Sequence, residues 1–154
     1  MALKTDRYEM QTDISFFMTS VAERGGVASL VTGGSGAAMD QGVAIVSYAA
    51  NPSGVRPIGI LLNDVKNYDL TRVRVNPYRN EVQVNGKVTL LRKGYVVTNL
   101  IQGTPVAGGN VFIGQSGNLA TSNIANNALV IGTFLSSKDQ DGYAKVEVNL
   151  PVTQ

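Results

Sequence analysis

The sequence predicts an all-β domain, a sandwich or small barrel of short antiparallel strands. Apolar, strand-like runs recur about every ten residues, with Gly, Asn, Pro or Asp between them. Period-two alternation dominates over helical spacing. The 154 residues, 44% of them hydrophobic, suit one domain with enough apolar material for its own core.

The chain opens with "MALKTDRYEMQTD". Residues 1–12 carry neither period and predict an extended N-terminal arm, with residues 13–154 forming a single β domain. The arm holds Leu3, Tyr8 and Met10 as apolar anchors among Lys4, Asp6, Arg7 and Glu9. It is expected to serve attachment and to contribute little to the fold. In "TDISFFMTSVAERGG", Ile14, Phe17, Met18 and Val21 have helical spacing, with Asp13 and Gly25 as caps. Ile14, Phe16 and Met18 also alternate as a strand would. The helix is preferred, so the domain is expected to contain at most one short helix.

Strands are expected in "VASLVT", "GVAIVSYA", "IGILL", "LTRVRV", "GYVVTNLI" and "GGNVFIG". "VTGGSGAAMDQG" and "AANPSGVRP" are loops. Asn85-Gly86 lies between Val82/Val84 and Val88/Leu90, which predicts a hairpin with a type I′ turn and positive φ at both turn residues. At the C-terminus "GYAKVEVNLP" places Ala144, Val146, Val148 and Leu150 on one face. That is a half-buried strand, paired through the turn "DQDG" with the apolar run "ALVIGTFLSS".

Charged residues make up 16% of the chain, against about 25% in typical domains. A surface this low in charge points to shelter by partners. There is no Cys, His or Trp, which removes disulfides and thiolate zinc sites. No apolar run approaches the length of a membrane span. The polar N-terminus lacks the apolar stretch of a secretory signal, so synthesis in the cytosol is expected. The net charge of +2 conceals a basic central segment: residues 56–93 hold eight Lys or Arg against three acids. Nucleic-acid binding would also need stacking aromatics near these cations, and only Tyr68 and Tyr78 are close. Arg72 and Arg74 share one strand face and are assigned to a solvated or partner-facing surface.

The stretch "AGGNVFIGQSGNLAT" begins as a phosphate-binding loop does, with a strand entering a glycine turn. A phosphate loop needs Lys and then Ser/Thr directly after its last glycine. Here Asn118-Leu119-Ala120-Thr121 follows, and no Lys or Arg occurs between Lys93 and Lys138. Ser116 and Ser35 each miss the last glycine of a nucleophile elbow, and no histidine is present to activate either. The segment is a turn. "SKDQDGYAKVEV" places Asp139, Asp141 and Gly142 at calcium-loop positions 3, 5 and 6, but Ser137 and Val148 occupy positions 1 and 12. A solvated turn is the expectation, with no metal and no cofactor. With no His and no Cys most catalytic designs are removed, so no enzyme is expected.

The segments "GSGAAMDQG", "NPSGVRPIGILLNDV", "DLTRVRVN", "NEVQVNGKVTLLRKGYVVTN", "GGNVFIGQSG" and "IGTFLSSKDQDGYAKVEVNL" occur in an order that resembles the decoration, or cement, proteins of tailed bacteriophage capsids. The resemblance covers roughly residues 33–150. It implies a small-barrel or β-clip domain, often a homotrimer, that joins the capsid exterior and clamps neighbouring major capsid subunits. It implies a virion protein with no catalytic residue, no direct nucleic-acid contact and no membrane. Leu3, Arg7, Tyr8, Met10, Arg72 and Arg74 are the candidate contacts to capsid or sister subunits. The alternative is a carbohydrate- or host-binding β module of a tail fibre, though aromatics are only 6%. A third reading, a trimeric β-clip nucleotide hydrolase, rests on "PSGVR" at Pro52–Arg56 and lacks the accompanying acidic motif.

Overall fold

The longest strand organises the others. The computed structural model describes residues 2–33, 44–69, 71, 80–124 and 129–150. In chain order the strands are β1 (Tyr8–Met18), β2 (Val27–Thr32), β3 (Ile45–Ser47), β4 (Pro57–Leu61), β5 (Asp64–Lys66), β6 (Glu81–Gln83), β7 (Gly86–Thr98), β8 (Ile101–Gln102), β9 (Asn110–Ile113), β10 (Leu119–Ala120), β11 (Val130–Phe134) and β12 (Ala144–Asn149). The fold is all-β, as expected. Among the described residues the helical content is one 3₁₀ turn, Gln115–Gly117.

The 13-residue β7 pairs antiparallel with β1, β4 and β12. The ladders β1–β3, β3–β2, β2–β4 and β4–β7 return to β7, so five strands form a ring of pairings. From β7 the sheet also continues outward as β12-β11-β9-β10-β8. β5 and β6 form a separate parallel pair.

Two cores lie on opposite sides of β2, β4 and β7. Val27, Ile60 and Leu91 join the larger cluster, with Val111, Ile131, Phe134 and Val146. Their chain neighbours Ala28, Leu61 and Leu90 join the smaller one, with Met18, Val46 and Val88. Strands buried on both faces read as unbroken apolar runs, which accounts for "IGILL". The outer strand β12 faces one core only. Its alternation is correspondingly clean: Ala144, Val146, Val148 and Leu150 are buried, and Glu147 and Asn149 exposed. It pairs with β11 as the hairpin expected from the sequence.

Three expectations are corrected. First, residues 14–18 are strand, not helix. Ile14 and Val21 on the supposed apolar stripe are 50% and 61% exposed. The backbone groups of this segment bond across to β7, and register shifts between Glu9 and Gln11, Gln11 and Thr12, and Asp13 and Phe16 disturb its alternation. Asp13 accepts a hydrogen bond from the Ser15 N–H at 2.7 Å, a local turn contact rather than a helix cap.

Second, Asn85-Gly86 does not close a β6–β7 hairpin. Asn85 has φ +71°, but Gly86 is not in the left-handed region. β6 pairs in parallel with β5, and Gly86 pairs with Met18 of β1. Tertiary pairing overrides the local turn signal. A side chain at Gly86 would still crowd Val82 Cγ1 at 2.8 Å and the Gln83 carbonyl oxygen at 2.9 Å.

Third, the first residues are part of the fold. The segment before β1 lies along β7 of its own chain. The Ala2 N–H donates to Glu23 Oε1 at 2.7 Å, and Lys4 N–H donates to the Val97 carbonyl at 2.9 Å. Leu3 bridges Thr98 and is 1% exposed in the larger core. β1 itself runs across residues 12 and 13 without a break. Arg72, Arg74, the strand expected in "LTRVRV" and most of the glycine-rich loop "VTGGSGAAMDQG" lie outside the described residues.

Leu3→Ala is therefore expected to destabilise the protein by about 2–5 kcal/mol, the usual cost of emptying a buried leucine site. Urea unfolding followed by circular dichroism measures it. Unchanged stability would mean that the first residues are not core.

Candidate functional site

The glycine turn that begins like a phosphate loop holds a tyrosine ring. β9 and β10 pair antiparallel across the 3₁₀ turn, with Ser116 at φ +54° and Gly117 at φ +80°. A Cβ on Gly117 would lie 2.5 Å from Tyr48 Cγ, and one on Gly26 would lie 2.8 Å from Tyr48 Cζ. The two glycines thus leave room for the Tyr48 ring between β2 and the turn. The Tyr48 hydroxyl accepts a 3.0 Å hydrogen bond from the Gly26 N–H and donates a short one to the Glu23 carbonyl. Burial pushes the Tyr48 phenol well above its ordinary value, so it stays protonated and keeps donating.

The acidic turn before β12 is likewise occupied by its own backbone. Asp139 Oδ1 accepts from the Tyr143 N–H at 2.9 Å and the Asp141 N–H at 3.0 Å. Its other oxygen meets Lys4 Nζ at 3.2 Å. These contacts, the Tyr143 backbone bond foremost, hold the Asp139 carboxyl below its usual 3.8. The calcium-like spacing reports a turn that pins the start of the chain to the β11–β12 hairpin.

The remaining candidate is a surface. Strand register sets Asn110, Thr133, Glu147, Tyr95 and Tyr8 side by side across β9, β11, β12, β7 and β1. Directly paired residues share a face, so these side chains form one row on the outward side of the sheet. At the β1 end the Tyr8 and Tyr95 rings stack with centroids 6.1 Å apart. Lys145 Nζ lies 3.9 Å from the Tyr95 centroid, and Lys4 Nζ lies 4.3 Å from that of Tyr143. Tyr8, Met10 and Ile14 are 54%, 66% and 50% exposed. Arg7 Nε pairs with Glu9 Oε1 at 2.7 Å beside them.

Of the contacts expected from sequence, Tyr8 lies in this row against Tyr95, Met10 is exposed two residues further along β1, and Arg7 pairs with Glu9. Leu3 does not join them: its side chain is used within the chain's own core. Ile14, Tyr95 and Lys145 were missed. Ile14 had been assigned inward on the helical stripe, and the outward face of β7 could be recognised only once its neighbours were known.

A family model described as a structural cement protein (E217 gp24/Pam3 gp6) matches residues 7–149. The chain belongs to this family. The match begins at Arg7, just ahead of β1, and ends at Asn149, the last residue of β12, so it spans all twelve strands. No curated protein matches the chain. The cement protein is a phage structural protein that binds the capsid. Its family suggests a non-enzymatic role. Among the described residues no helix is long and apolar enough to cross a membrane.

Two substitutions test the assignments of the turns. Tyr48→Phe keeps the ring over the glycines but removes the hydroxyl that bonds the Gly26 N–H and the Glu23 carbonyl; a loss of about 1–3 kcal/mol in urea unfolding is expected. Asp139→Asn removes the charge and keeps an acceptor. Because the folded value of Asp139 is depressed, its contribution is present above 3.8 and lost as pH falls through the lower folded value. Thermal melts from neutral to strongly acidic pH are therefore expected to find the variant less stable at neutral pH, with the gap closing in acid. A gap that persists or widens in acid would contradict the ionised turn.

Proposed function

We propose that this cement protein joins the outside of the assembled phage head as a homotrimer and holds neighbouring major capsid subunits together. Synthesis in the host cytoplasm is part of the same proposal. The observation that carries the reading is the exposure of three large apolar side chains on β1, Tyr8, Met10 and Ile14, close in sequence to the Arg7–Glu9 pair, in a chain whose family binds capsids. Aromatic, methionine and arginine side chains within a polar rim are the residue types that dominate binding at protein interfaces. Arg72 and Arg74 enter the proposal as cationic contacts on sequence grounds alone. The reading calls for no cofactor, metal or catalytic group.

Attachment of this kind is reversible adhesion between preformed surfaces. β1 is held along its length by β7, so few backbone degrees of freedom remain to be lost on binding. Co-sedimentation with empty, expanded heads tests it. Met10→Asp should weaken binding about thirtyfold, ~2 kcal/mol, if the side chain is one anchor of the contact. Ile14→Asp should add to the loss, with both variants retaining the parental melting temperature because neither side chain is buried. Full binding by the double variant would sink the β1 assignment, and no binding by the parent would sink the capsid-exterior reading itself.

A further inference from the structure

The outward face changes character from one end to the other. Residues 94–137, from the end of β7 through β11, contain no Lys, Arg, Asp or Glu. At the chain-wide 16% such a stretch would carry about seven charges. All 13 basic and 11 acidic residues lie outside it.

This stretch also carries exposed aliphatic side chains. Val106 is 68% exposed, and Val130 and Leu135 are each 41% exposed. Val111, Ile113, Ile131 and Phe134 point into the larger core, so their neighbours Phe112, Val130 and Leu135 point away from it. Val130 pairs directly with Phe112. The Gly108 N–H donates to the Phe134 carbonyl at 2.7 Å, and the Phe134 N–H donates to the Gly109 carbonyl at 2.8 Å. Those bonds bring the turn that carries Val106 to the end of β11, beside Leu135. The charged outward residues of β12 bound the area: Glu147 is opposite Thr133, and the Lys145 carbonyl accepts from the Leu135 N–H at 2.8 Å.

We infer that this neutral area, centred on Val106, Val130 and Leu135, is where a second copy of the chain docks, leaving the β1 end of the face for the capsid. No described residue of this patch is charged, so three copies of it brought together around a three-fold axis oppose no like charges there. Against a charged partner surface it would strip water from ions and offer nothing to pair with them. Interfaces between identical chains are also the more apolar class, with charge depleted at their centre. The β1 end has the opposite composition, with Arg7, Glu9 and Lys145 among aromatics. The inference rests on the self-association in the proposed function and is independent of capsid binding.

The absence of cysteine makes the test direct. Single thiols are introduced as Val106→Cys and Met10→Cys in the full chain, and each purified protein is treated with a short bismaleimide without capsids present. The parent is expected to sediment as an oligomer at micromolar concentration. Val106→Cys is expected to cross-link between copies, and Met10→Cys to remain uncross-linked. Leu135→Lys is expected to weaken association at least about tenfold while the circular dichroism spectrum is unchanged; Val106→Lys, at the most exposed position, serves the same purpose should Leu135→Lys not fold. Cross-linking at Met10 but not at Val106, or full association of both lysine variants, would overturn the assignment of the surface alone. A monomeric parent would overturn self-association as well, and co-sedimentation with heads would still report on capsid binding separately.

Discussion

A single strand has to serve two cores, and the rest of the structure follows from how β7 does it. Val88 and Leu90 face the smaller core, and Leu91 faces the larger. Strict alternation would then send Val96 to the side of Leu90, yet Val96 lies in the larger core with Leu91. The phase must slip between them. The β7–β12 ladder is unshifted from Lys93 to Thr98, so the slip falls between Leu91 and Lys93; Gly94 follows it at φ +140°, where an added Cβ would also run into the Tyr8 carbonyl oxygen. Glycine is the residue that adopts this conformation without steric cost, and the β1 register shifts opposite the same point. The slip lets the first half of β7 close the ring with β1 and β4, and the second half continue the sheet through β12.

The same constraint explains why the first residues cannot be a loose tail. The second half of β7 needs a neighbour on the side away from β12. Tyr8 pairs there with Tyr95, Lys4 N–H reaches the Val97 carbonyl, and Leu3 bridges Thr98. Without them backbone groups of β7 would lose their partners and the larger core would lose Leu3. The outward side chains Tyr8 and Met10 are therefore carried on a strand that the core itself holds in place. A surface positioned by packing loses less entropy on binding than a disordered arm would. Affinity in such a design comes from the fit of a fixed face.

How legible this was depended on how many faces each strand buries. β12 buries one, so its alternation, its turn and its partner β11 could all be read directly. "IGILL" buries both and could be placed as a strand but not oriented. β1 was misread because its register shifts break the two-residue period, leaving Ile14, Phe17 and Met18 at a spacing that imitates a helix. Asn85-Gly86 had the local chemistry of a hairpin, but β5 and β1 took the two flanking strands. The role of Leu3 had no sequence signal, since a lone leucine among polar residues has no period. Tyr8 and Met10 were recognisable as apolar residues without a periodic partner, which is also how exposed anchors appear. The run without cations between Lys93 and Lys138 was visible from the start; its meaning needed the fold, which sets Val106 and Leu135 at one end of β11 and Val130 at the other.

Placing one partner at the β1 end and another at the β9–β11 end has a mechanical consequence. Tension between them would cross the strands, along the direction of the inter-strand hydrogen bonds, through β1, β7, β12, β11 and β9. Bonds loaded in that direction resist as a set only while the rungs share the load. The β7–β12 ladder supplies six consecutive registered pairs without a shift, and the side chains beneath it belong to one continuous cluster. Tyr48 adds a tie from β2 across to the β9–β10 turn, joining the ring to the far end of the sheet by a route that does not pass through β12. A sheet stretched between two partners fails first at its weakest ladder, so a second route around the central strands raises the load at which the face separates.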